Sequence, residues 1–137
     1  MFLGEYKLKF SGKGRIILPK KLREEIKDKE IILSKGFEGC IWGFDLKDWE
    51  KQAMVQLETS AVEAGARHLR RYLFSSSIEV ELDDQGRFVI PGNLLDYGRV
   101  RDKVILVGAG DHFEVWDKDL WEKQLKTLER KYGRVSR

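Results

Sequence analysis

With Cys40 as its only cysteine, this chain cannot form an internal disulfide, and with His68 and His112 as its only histidines it offers no ligand set at zinc spacing. No apolar run approaches the length that spans a bilayer. The start, Met1-Phe2-Leu3-Gly4-Glu5, passes into a charged alternating stretch rather than an apolar signal core. A reducing cytosol is the expected location. Enzyme signatures fail in turn. Gly12-Lys13 resembles the end of a phosphate loop, but Gly14 stands where Ser or Thr is required and Lys7 where the opening glycine is. Gly108-Ala109-Gly110 follows an apolar strand as a dinucleotide fingerprint would. However, Phe113 occupies the third glycine position, and a strand follows instead of a helix. Asp83 and Asp84 read as turn residues rather than a paired acid and base. No catalytic residue, metal, cofactor or small-molecule substrate is expected.

Charge is plentiful but nearly balanced: 26 Lys and Arg against 23 Asp and Glu, a net of +3. The total is too small to argue for a nucleic-acid ligand, but its distribution is uneven. Residues 1–27 hold eight basic side chains (Lys7, Lys9, Lys13, Arg15, Lys20, Lys21, Arg23, Lys27) against three acidic ones. The stretch 73–99 holds Arg87 and Arg99 against five acids, Glu79, Glu81, Asp83, Asp84 and Asp96.

Those two stretches are otherwise alike. Lys13-Gly14-Arg15 with Ile17-Leu18-Pro19 returns as Gln85-Gly86-Arg87 with Val89-Ile90-Pro91, an offset of 72 residues. The offset continues: Leu22 maps to Leu94, Ile32-Leu33 to Val104-Ile105, Asp45 to Asp117 and Trp49 to Trp121. Duplication in so short a chain implies two similar half-modules about a pseudo-two-fold axis, a common arrangement in DNA-binding proteins. Neither half would bury enough apolar surface alone, so a shared core is expected. The division falls into a first repeat with its long helix, 1–73, and a second repeat with a C-terminal helix and basic tail, 74–137.

Each copy reads as strand, turn, strand, short helix, strand, strand, long helix. Tyr6, Leu8 and Phe10 alternate with Lys7 and Lys9, a half-buried strand with a basic outer face. Ser11 to Gly14 turn the chain, Arg15 to Leu18 resume as a strand, and Pro19 opens a helix to about Ile26. Ile31–Leu33 and Cys40–Trp42 are strands, followed by a helix from Leu46 to about Leu73 that Gly65 breaks or bends. Its second half is basic (Arg67, His68, Arg70, Arg71), read as a solvated or subunit-contacting face. In the second copy Ile78, Val80 and Leu82 alternate with glutamates, and Arg87–Ile90 follow the turn. Pro91 opens a short helix, Val104–Val107 and Phe113–Trp116 pair, and the last helix begins at Leu120 or Trp121. Residues 130–137 read as a basic tail without core pattern. Interleaved, these strands make an α+β, mainly β barrel with long helices outside.

The basic turn has chemistry to offer. Arg15 can form two parallel hydrogen bonds with a guanine edge, and Lys7, Lys9 and Lys13 can meet phosphates. The alternative for Arg15 is an intramolecular pair with a carboxylate. For Arg87, preceded by Asp83-Asp84, such an ion pair is the favoured reading.

With these residues in view the chain resembles the MraZ family of bacterial regulators, whose signature is an Asp-x-Lys-Gly-Arg turn occurring twice. The copies here are Ser11-Gly12-Lys13-Gly14-Arg15 and Asp83-Asp84-Gln85-Gly86-Arg87. Met1-Phe2-Leu3-Gly4-Glu5-Tyr6, Arg71-Tyr72-Leu73-Phe74-Ser75 and Glu114-Val115-Trp116 also resemble the family, so the likeness covers nearly the whole chain. Ser11 departs from the signature's first aspartate and Gln85 from its second lysine. The resemblance implies a double swapped-hairpin barrel of the AbrB/SpoVT type. It also implies a cytoplasmic, nucleoid-associated transcriptional regulator that binds double-stranded DNA. The family assembles into homo-oligomeric rings on short direct repeats in the promoter of a cell-division and cell-wall gene cluster. The roles carried over fall on Lys13 and Arg15, with Lys7 and Lys9 on phosphates and Gln85 and Arg87 in the equivalent places. Trp49 and Leu57 are candidates for closing the ring. The alternatives are an antitoxin-like module of the same barrel type that binds a partner protein, and a small enzyme using Cys40, His68 or His112.

Overall fold

The expected alternation at the N-terminus is realised in β1 (Glu5–Lys9), where Tyr6 and Leu8 turn inward and Lys7 and Lys9 stay exposed. The computed structural model describes residues 1–133. After β1 come β2 (Arg15–Ile17), α1 (Lys20–Arg23), β3 (Glu30–Lys35), β4 (Ile41–Asp45), α2 (Leu46–Glu58) and α3 (Ala64–Ser76). Then follow β5 (Ile78–Glu81), β6 (Arg87–Val89), α4 (Gly92–Gly98), β7 (Lys103–Gly108), β8 (Phe113–Asp117) and α5 (Lys118–Leu128). The fold is α+β, and every strand pair is antiparallel.

Six strands form one sheet in the order β1-β7-β8-β4-β3-β5, and β2 pairs with β6 as a separate ribbon. The six-stranded sheet is open, with β1 and β5 at its edges, so it does not itself close into the expected barrel. Exchanging β1 for β5, β3 for β7 and β4 for β8 leaves the order unchanged. At the centre of both middle ladders a residue faces the one 72 positions later: Trp42 opposite Glu114 and Ile16 opposite Phe88. Strands β3 and β7 need an offset of 73 instead, since Ile31 lies opposite Asp45 and Val104 opposite Asp117. The expected match of Ile32-Leu33 to Val104-Ile105 is therefore one residue out. The connection after β3 runs over 36–40 and that after β7 over 109–112, one residue shorter, and the 72-residue offset is restored beyond it. In a strand such a slip reverses the faces.

Both faces of the sheet are covered. Ile31, Leu33, Val104 and Leu106 point into the main core with Ile16, Phe88, Leu22 and Leu94 from the ribbon and the short helices. Ile105 points the other way, to Trp116 and Trp121 beneath α5. Residues on both sides of position 73 thus fill one core.

Several elements differ from expectation. The helix predicted over 46–73 is two helices, and the break is Thr59–Glu63 rather than Gly65, which sits inside α3. Ser60 Oγ accepts from the Val62 N–H, a local hydroxyl–backbone bond that competes with helix. Arg67 donates to the carbonyls of Ala61 and Val62, and Arg70 to those of Leu57 and Thr59. These two arginines clamp the connection instead of forming a purely solvated face. The first short helix ends at Arg23, and α5 begins at Lys118, where the Asp117 carboxylate accepts from the Leu120 N–H as an N-cap. Glu129–Gly133 continue α5 as a π-helical turn; the rest of the expected tail, 134–137, lies outside the described residues.

Candidate nucleic-acid interface

The two turns share one backbone. Ser11 N–H donates to Arg15 O at 2.9 Å and Asp83 N–H to Arg87 O at 2.9 Å. Gly14 and Gly86 take φ of +72° and +80°, a region open to glycine and costly for other residues. Each turn docks on the other half. Leu18 N–H donates to Gly86 O and Ile90 N–H to Gly14 O, both at 2.8 Å. A Cβ on Gly14 would lie 2.8 Å from Ile90 O, and one on Gly86 2.2 Å from the Arg23 side chain.

Their electrostatics differ. Around the second turn Asp83 accepts from the Gln85 and Arg87 N–H groups and pairs with Arg87 Nε at 2.7 Å. The Arg87 N–H and guanidinium, with the Gln85 N–H, hold the Asp83 carboxyl below its ordinary pKa against burial. Asp84 pairs with Lys29 at 2.7 Å, raising the lysine's pKa through the hydrogen bond. Arg23 Nη1 donates to Gln85 O at 2.9 Å. Arg87 is thus in the structural ion pair its neighbours suggested, and the Gln85 side chain is exposed. The first turn has no carboxylate partner among the described residues. Arg15 Nε donates to Ser11 Oγ at 3.3 Å and Arg15 Nη2 to Ser11 O at 3.3 Å. Lys13 is exposed, with no ion-pair partner among the described residues.

The β2–β6 ribbon brings the turns' arginines onto one face. Arg15 lies opposite Val89 and Ile17 opposite Arg87, while Ile16 and Phe88 between them are buried. Period-two alternation therefore puts Arg15, Val89, Ile17 and Arg87 outward. Val89 is 53% and Ile17 40% exposed.

Lys7 and Lys9 stand on the β1 edge, with Lys9 directly opposite Lys103. Lys118 joins them around a groove of about 410 Å³ floored by Leu8, Val104 and Ile105. Lys103 and Lys118 were not legible as site residues, because only strand pairing brings them beside β1. Like charges directly opposite are destabilising; Lys118 offsets part of its charge by pairing with Glu122 at 3.3 Å. The equivalent edge is its acidic counterpart: Glu30 faces Glu81, and Glu79, followed by burial, raises the Glu30 pKa.

Elsewhere, Cys40 and His112 are engaged internally. Cys40 donates its thiol to Phe37 O, and burial pushes its pKa up, which keeps it a thiol rather than a nucleophilic thiolate. His112 lies 2.7 Å from Asp111 and 3.0 Å from Glu114. Among the described residues no group of three His, Cys, Asp or Glu side chains is placed to hold a metal ion, and no helix is long and apolar enough to cross a membrane.

The model of the MraZ protein family, described as antitoxin-like, matches residues 1–72 and again 73–132. A protein called Transcriptional regulator MraZ from Caldicellulosiruptor bescii is 36% identical over 138 residues, covering 99% of this chain and 94% of its own. Proteins of the same name from Clostridium acetobutylicum and Acetivibrio thermocellus are each 37% identical, over 88% and 89% of this chain and 84% and 85% of theirs. A solution structure from Pyrococcus horikoshii aligns with 84% of this chain and 88% of its own at 16% identity and a TM-score of 0.34, too distant to bear on the fold.

Proposed function

The chain belongs to the MraZ family, and from that membership we propose that it is a sequence-specific transcriptional regulator that binds double-stranded DNA. The observation that carries the reading is the contrast between its two turns. The second has its charges matched internally, whereas the first leaves Lys13 exposed and Arg15 tied only to Ser11. A β-ribbon fits the major groove, where an arginine fork pairs with a guanine edge. In this reading Lys13 and Arg15 are the principal contacts, Lys7 and Lys9 hold phosphates, and Gln85 and Arg87 support the register. Two tandem AbrB/SpoVT-like halves, 1–73 and 74–137, build the fold as swapped hairpins around one core, and the palindromic strand order supports this. The protein acts in the cytoplasm on the nucleoid. It assembles as a homo-oligomeric ring on direct repeats before a division and cell-wall gene cluster, and tandem engagement raises a modest single-subunit affinity by roughly 10²–10⁴.

The test is fluorescence anisotropy with DNA from upstream of the protein's own gene at two salt concentrations. Lys13→Ala and Arg15→Ala are expected to lose binding with the assembly state unchanged. Lys13→Ala should also lower the salt slope by about one. Parental affinity in both variants rejects the assignment. The antitoxin-like description of the family keeps a second reading alive: a partner protein docking on the exposed Met54, Val55 and Leu57 of α2. A small protein co-purifying at fixed stoichiometry, with no DNA affinity, favours that reading.

A further inference from the structure

Resting on the DNA-binding reading, we propose that Val89 and Ile17 determine sequence specificity by seating thymine methyl groups beside the guanine that Arg15 contacts. The ribbon presents four side chains to solvent, and two of them are apolar: Val89 directly opposite Arg15, and Ile17 directly opposite Arg87. They are among the more exposed large hydrophobic residues of the molecule, although the core begins one residue away at Ile16 and Phe88 on the same strands.

An exposed β-branched pair between arginines is poorly suited to phosphate, which offers only anionic oxygens. It suits the floor of the major groove. There each base pair shows a donor and acceptor pattern, and thymine alone adds an apolar group, its C5 methyl. A cross-strand pair has its Cβ atoms about 5 Å apart, and bases on one strand rise about 3.4 Å per step. A guanine held by Arg15 and a thymine methyl against Val89 are thus one or two base steps apart. The reader is composite: the first half supplies the cation and the second half the apolar surface opposite it. This gives the acidic second copy a role in recognition that its charge alone does not. Ile17 makes the corresponding pair with Arg87. Because that guanidinium is held by Asp83, the Val89 side carries the stronger preference.

The experiment uses the full chain and a 24-base-pair duplex obtained by selection from a randomised pool. Each thymine in the selected site is replaced singly by deoxyuridine, which removes one methyl and leaves every hydrogen-bonding group in place. At one or two thymines adjoining a guanine, parental affinity is expected to fall roughly fourfold, the worth of one buried methyl-sized group. Val89→Ala should bind the parental duplex about fourfold more weakly and be indifferent to uracil at its thymine. Ile17→Ala should behave likewise at the other. Both residues are exposed, and the base-side substitution leaves the protein untouched, so the result does not depend on a variant's stability. Selected duplexes that need Arg15 but tolerate uracil everywhere overturn the proposal while the DNA-binding reading stands. A pool that yields no enriched duplex, or duplexes bound equally by Arg15→Ala, overturns both.

Discussion

His112 is gripped from two sides, and the pair it forms makes stability depend on pH. In its protonated form Nδ1 donates to Asp111 at 2.7 Å and Nε2 to Glu114 at 3.0 Å, while the ring lies against Phe44 and Trp42. Glu114 also accepts from the indoles of Trp42 at 3.1 Å and Trp116 at 3.0 Å. Burial pulls the His112 pKa down, but the hydrogen bonds to Glu114 and Asp111 outweigh it and leave the value above the ordinary 6.5. For Glu114 burial pushes upward and is outweighed by its donors His112, Trp116 and Trp42, leaving it below 4.5. A raised histidine contributes fully below 6.5 and loses its contribution as pH climbs through the folded value. A lowered glutamate contributes fully above 4.5 and loses its contribution as pH falls through the folded value. Between those limits both are in place. Urea unfolding is thus expected to show lower stability at pH 8.5 than at pH 5.5. Glu114→Gln should cost about 2 kcal/mol at pH 5.5, since it removes a buried charged acceptor, and should flatten the pH dependence. A parental curve flat across that range rejects the argument.

At the level of elements, the most informative place is the connection between α2 and α3. Leu46, Trp49, Ala53 and Leu57 keep helical spacing up to Thr59-Ser60, and periodicity alone carries the helix onward to Ala61. What ends it is a hydroxyl-rich step followed by a long-range contact, with Arg70 reaching back to the last carbonyls of α2. A cation at a helix C-terminus is stabilising. Arg70→Ala should therefore cost about 1 kcal/mol, with faster amide exchange confined to the last turn of α2. Gly65→Ala, by contrast, adds a Cβ with nothing within 4 Å and should stabilise by about 0.5 kcal/mol in urea titrations. A loss of stability there would restore Gly65 as a required break. Strands were legible where one face is polar, as at Lys7 and Lys9. The one-residue slip between β3 and β7 was not, because both strands are buried on both faces and show no alternation. The turn residues Lys13 and Arg15 could be picked from sequence. Lys103, Lys118 and the outward pair Ile17 and Val89 needed the strand register.

For the whole molecule, the decisive fact is that neither half holds all of its strand partners: β3–β4 and β7–β8 pair within a half, but every other pairing crosses between the halves. β1 pairs with β7 and β2 with β6, so a chain of residues 1–76 would present two unpaired strands and half a core. The pseudo-symmetry suggests its escape: a second copy supplies β3 where β7 stands and β2 where β6 stands. That replacement is imperfect. Ile16 would face Ile16 rather than Phe88, a smaller volume at the centre of the ribbon. Gly43 would also lose the Phe113 ring, whose atoms come within 1.9 Å of where its Cβ would be. Cavities of this kind cost a few kcal/mol each (roughly 2–4). In the intact chain the two halves meet at the high effective concentration a covalent link provides. Residues 1–76 are accordingly expected to be largely unfolded at low micromolar concentration by circular dichroism. Folding should appear only with dimerisation, as a concentration-dependent transition in sedimentation. Filling the two gaps, with Ile16→Phe and Gly43→Ala together, should strengthen that dimer. Cooperative folding of the fragment as a monomer would mean that the first half has a core of its own, and that strand exchange between the halves is not what holds the molecule together.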